Sequence, residues 1–123
     1  MLRLALAVAP AAVVIACALV FMRPLGAFAC DRVTIASYYG TESGSRTATG
    51  HFFDGTQMIV ASRDLPFGTK LRLSLNGNSA VATVDDRGPA AWTGRSLDVS
   101  RAVAVKLGML RAGVARLCVE RLN

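Results

Sequence analysis

The stretch TKLRLSLNGNSAVATVDD, Thr69 to Asp86, leaves its chain few folds to choose from. Leu71, Leu73 and Leu75 recur at every second position, so an extended segment places all three on one side. The following Asn-Gly-Asn (76–78) is a hairpin signal, because Asn-Gly tolerates the positive φ values of a tight turn. The return segment SAVATVDD (79–86) alternates as well. Three other segments read as short strands: RVTIASYY (32–39), QMIVAS (57–62) and ARLCVE (115–120). A single helix is predicted over RAVAVKLG (101–108), with Ser100 or Asp98 at its N-cap, Lys106 in its last turn and Gly108 ending it. Six or so short strands, one helix and many turns predict a mainly-β chain closed into a small barrel rather than an open sheet.

Residues 1–29 stand apart from that domain. They begin with Arg3, run apolar from Leu4 to Met22, and reach small residues at Ala27 and Ala29. This is the layout of a secretory signal cleaved before Cys30, leaving residues 30–123 as the exported domain in the periplasm or cell envelope. An uncleaved membrane anchor is the second reading, and lipidation of Cys30 the third. Cysteine arithmetic favours neither lipid nor free thiol. Cys17 leaves with the signal, and Cys30 and Cys118 remain as an even pair in an oxidising compartment, where a disulfide would tie the two ends of the domain.

The exported part carries twelve Lys and Arg against eight Asp and Glu, a net +4. A mild excess spread along the chain suits solubility or an anionic wall polymer. Nucleic acid is not expected for an exported chain without a basic cluster. One histidine and two paired cysteines form no metal-ligand set. The glycine-rich loop 40–50 lacks the Gly-Lys-Ser/Thr of a phosphate cradle, and His51 alone makes no triad. No cofactor is expected, and a monomer is. Carboxylate chemistry remains. Strand alternation groups Ala80, Ala82, Val84 and Asp86 on the small, apolar face that turns to the barrel interior, with Asp85 pointing the other way. A partly desolvated Asp86 suits a general acid, and Arg87 would counteract that if its side chain turned inward. The alternative is that Asp86 caps the Arg-Gly-Pro turn that follows it.

ASYYG (36–40), RTATG (46–50), LPFGT (65–69), VDDRGP (84–89) and GRSLDVSRAVAVKLGM (94–109) occur in an order and spacing that resemble the rare lipoprotein A family. The resemblance covers essentially the whole exported part. It implies a six-stranded double-psi β-barrel, akin to expansins, and an endolytic lytic transglycosylase that acts on peptidoglycan glycan strands. Such an enzyme needs one carboxyl group, which protonates the glycosidic oxygen and then takes the proton of the muramic C6 hydroxyl. Asp86 matches the family's aspartate, while Asp85 stands where asparagine is usual.

The chain departs from the family at three further positions. His51 replaces a glutamate, Ser62 a histidine, and Tyr38 a frequent tryptophan. Histidine does acid/base work near neutral pH, so His51 is a second catalytic candidate. The favoured alternative is that it marks altered or lost activity. Tyr38 or Tyr39 would stack on sugar or pack the barrel; Asp54 would line the groove or form a turn; Trp92 would contact glycan or anchor its loop. Arg87 is the remaining candidate for substrate binding, and Asp98 is expected to hold the helix start. The competing function is a non-catalytic, expansin-like wall-binding module. The C-terminal glycan-binding module of many relatives, and the septal targeting it implies, are not expected here.

Overall fold

A computed structural model describes residues 30–123, so the signal or anchor expected over 1–29 lies outside the described residues. The chain runs β1 (Arg32–Tyr39), β2 (Ile59–Ser62), β3 (Lys70–Leu75), β4 (Asn78–Asp86), β5 (Leu97–Ser100), α1 (Arg101–Leu107) and β6 (Val114–Arg121). Two short 3-10 turns, Thr41–Ser43 and Ala91–Thr93, interrupt the loops. The strands close into a barrel in the order β1-β5-β2-β4-β3-β6, as the number and shortness of the strands predict. β1 with β5 and β2 with β4 are parallel, and the other pairs are antiparallel.

The hairpin forms as its sequence predicts. Asn76 and Gly77 both adopt positive φ, +48° and +85°, and Leu71, Leu73, Ala80, Ala82 and Val84 all face the core. Leu97, Val99, Leu117 and Val119 complete the interior from the other strands, and Val103, Leu107 and Met109 close it on the α1 side. Burying these side chains contributes about 1.5–3 kcal/mol each for the larger ones. Ser100 is the N-cap of α1: its Oγ accepts from the N–H of Val103 and donates to the carbonyl of Gln57. Gly108 ends the helix in the left-handed region, where a Cβ would come within 3.2 Å of the Asn78 amide.

The strand β5 is a finding. Leu97–Ser100, where the sequence indicates only the Ser100 or Asp98 cap of the helix, adds a strand between β1 and β2 and passes directly into α1. Cys30 and Cys118 are bonded, with Cα atoms 5.4 Å apart and a sequence separation of 88. A sulfur in that bond is not free to carry lipid.

Candidate active site

The site grows from one transverse row of the barrel. Ser37 of β1 pairs with Asp98 of β5, Asp98 with Ala61 of β2, and Ala61 with Asp86 of β4. Residues opposite one another on adjacent strands share a face. Val60, Val84 and Val99 form the neighbouring buried row, so Ser37, Asp98, Ala61 and Asp86 lie on the barrel's outer face. Asp98 and Asp86 are two strands apart, roughly 10 Å between Cα atoms at the usual strand spacing.

Strict alternation would put Asp85, not Asp86, on that face. A bulge reverses the outcome. The β2–β4 register shifts between Val60 and Ala61: Val60 meets Val84, but Ala61 meets Asp86, and Asp85 is the extra residue. Asp86 is thereby moved from the inward set to which simple alternation assigns it. Its signal in sequence was absent, because a bulge depends on what the partner strand does.

An open cavity of about 150 Å³ covers this row. Tyr39, Arg46, Phe53, Asp86, Arg87 and Asp98 line it together with small residues. Asp86 accepts from the Tyr39 hydroxyl at 3.0 Å on one oxygen, and from the backbone N–H groups of Ala48 and Arg87, both at 2.9 Å, on the other. Tyr39 stacks on the buried Phe53, with ring centroids 5.0 Å apart. Burial of the phenol, then the charge and hydrogen bond of Asp86 and the charges of Asp98 and Asp85, push its pKa far above the ordinary tyrosine value. Tyr39 is therefore a permanent donor to Asp86. Asp98 accepts from the Ser37 hydroxyl, with Arg95 Nε 3.7 Å away, while Ser100 alone holds the helix start. Asp98 is thus a cavity carboxylate, hidden in sequence by its position just before a helix.

The other candidates separate. Arg87 turns away from Asp86: its guanidinium donates to the carbonyls of Ser62 and Leu65 and lies 3.6 Å over the Phe67 ring. Tyr38 packs on the core and donates to the Leu110 carbonyl. Asp54 closes a turn, accepting from both the hydroxyl and the N–H of Thr56, which hold its carboxyl below the usual range. Ser62 is fully buried and holds the turn through Asp64 and Leu65. Trp92 is 89% exposed in the loop after Asp86. His51 is exposed and bonded through Nδ1 to Asp85, 2.9 Å away. Among the described residues no cluster of His, Cys, Asp and Glu could hold a metal ion.

Comparison with known proteins shows the family and the fold. The lytic transglycolase family matches residues 32–119. A probable endolytic peptidoglycan transglycosylase RlpA of Treponema pallidum is 45% identical over 89 residues, covering 70% of this chain and 28% of the relative. The endolytic peptidoglycan transglycosylase RlpA of Pseudomonas aeruginosa is 39% identical over 94 residues, covering 74% and 27%. The chain thus spans little more than a quarter of the length of these curated relatives. Among solved structures, a Streptomyces papain inhibitor superposes with a TM-score of 0.61 at 20% identity, covering 76% of this chain and 97% of that one. Cerato-platanin 2 of M. perniciosa superposes with 0.55 at 15% identity, covering 75% and 95%, and both likenesses concern the fold alone. A double-psi β-barrel carrying the ordered motifs and matched over nearly its whole described length, this chain belongs to the rare lipoprotein A family of lytic transglycolases.

Proposed function

We propose that this chain is an endolytic peptidoglycan transglycosylase of the bacterial cell envelope, with residues 30–123 as its working domain and Asp86 as its acid/base. The observation that carries the reading is the shared row that brings Asp86 and Asp98 to one open cavity. Protonated Asp86 gives its proton to the glycosidic oxygen as the bond from that oxygen to C1 of the muramic residue breaks. The muramic C6 hydroxyl oxygen then bonds to C1, and its proton passes to the Asp86 carboxylate. The acid is regenerated, a 1,6-anhydro ring is closed, and no water is consumed, unlike ordinary glycoside hydrolysis.

The surrounding groups suit that cycle. Tyr39 O–H and the N–H groups of Ala48 and Arg87 meet the negative charge that appears on Asp86 when its proton leaves. Asp98 sets a second negative charge on the cavity wall, suited to the positive charge that develops at C1. Trp92 offers an exposed ring on which a sugar can stack.

Incubating residues 30–123 with glycan strands stripped of peptides should release products with 1,6-anhydro-muramyl ends, read by mass spectrometry. Asp86→Asn should lower their formation by about 100-fold or more. Strands that are bound but never cut across a pH series would replace the enzyme with a wall-binding module.

A further inference from the structure

Asp85 and the loop 46–52 form a unit from which the proposed reaction draws only the Ala48 N–H. Arg46 and Phe52 bridge the two ends of this loop, and Thr47 N–H to the His51 carbonyl and Gly50 N–H to the Thr47 carbonyl fold its tip. Alternate residues along it then converge on one carboxylate. Thr47 Oγ1 donates to Asp85 Oδ2 at 3.0 Å and Thr49 Oγ1 to Oδ1 at 2.7 Å. His51 Nδ1 lies 2.9 and 3.0 Å from the two oxygens. Between these side chains, the backbone N–H of Ala48 points the other way and rests on Asp86.

We propose that Asp85 and His51 are positioning residues: they clamp loop 47–51 so that the Ala48 N–H stays aimed at the Asp86 carboxylate. The bulge is what makes this possible, because the extra residue has no partner on β2 and its carboxylate is free to serve the loop. Stability is a poor explanation for the pair. The His51 side chain is 74% exposed, and solvent screens an exposed pair so that it contributes little to stability. A loop that supplies a donor to a reacting carboxylate has a different requirement, which is a fixed direction for one N–H. His51 acts through Asp85 and not as a proton donor to substrate. The inference rests on Asp86 being the acid/base.

The test exchanges donor and acceptor. His51→Glu sets an acceptor against an acceptor, and adding Asp85→Asn restores a donor. His51→Glu should lower kcat about tenfold with KM within about twofold, the cost of one misdirected donor. The double variant should return to within about threefold of the parent, since the rebuilt hydrogen bond again fixes the loop. A double variant no better than His51→Glu, or a His51→Glu variant equal to the parent, would overturn the proposal. Amide exchange of Ala48, followed by NMR in the same proteins, reads the clamp without activity. Protection should fall in His51→Glu and recover in the double variant, and unchanged protection would refute the clamp. A parent that makes no anhydro product overturns the catalytic reading and with it the role assigned here, whatever Ala48 does.

Discussion

Burial by itself would raise the Asp85 carboxyl, but the hydrogen bonds from Thr49, His51 and Thr47 and the charge of His51 outweigh it and hold the group below the usual aspartate range. A carboxyl whose folded value is depressed stabilises the fold fully above its unfolded value, about 4, and loses that contribution as pH falls through the folded value. Asp85→Asn should therefore be less stable than the parent above about pH 5, and the two should converge on acidification. Urea midpoints measured along that pH series check the sign; curves that stay parallel would remove the network from the acid response. Part of this cavity was legible in the sequence: the motif and the resemblance singled out Asp86, which lines it. The roles of Asp85, Asp98 and the Ala48 N–H were not, because each depends on a partner from another element: the loop 46–52, Ser37 of β1, and Asp86 itself.

At the scale of elements, periodicity predicted what long segments do and missed what a short one does. β1 spans Arg32–Tyr39 as read, and the hairpin and α1 end within a residue of their predicted limits. β5 has four residues, too few for alternation to separate a strand from the approach to a helix. Its end is nevertheless well marked, because Ser100 is wholly buried and serves both the helix and the Gln57 carbonyl. Ser100→Ala should cost about 1 kcal/mol, since it removes the helix cap and one of the two hydrogen bonds to the Gln57 carbonyl, which still accepts from the Ile59 N–H. Chemical denaturation would show this as a lower midpoint with an unchanged slope. Because Asp98 lies two residues before the cap, a small loss of activity should accompany the loss of stability.

For the whole molecule, the bond between Cys30 and Cys118 joins the start of the barrel to β6 and closes nearly the entire described chain into one loop. In the chain-entropy account a loop of that size is worth about 3–5 kcal/mol. Replacing both cysteines with serine should lower Tm by more than about 10 °C, the shift expected for a domain of this size. Scanning calorimetry with and without reductant checks it: the parent should lose stability on reduction and the double variant should not respond. The sequence by itself determined the barrel class, the hairpin, the helix with its glycine end and the paired cysteines, because these rest on local periodicity, turn chemistry and parity. Tertiary structure alone decided which aspartate faces the cavity and which carboxylate joins it. Both outcomes depend on register between strands far apart in the chain, and a single extra residue in β4 moves Asp86 to the opposite face.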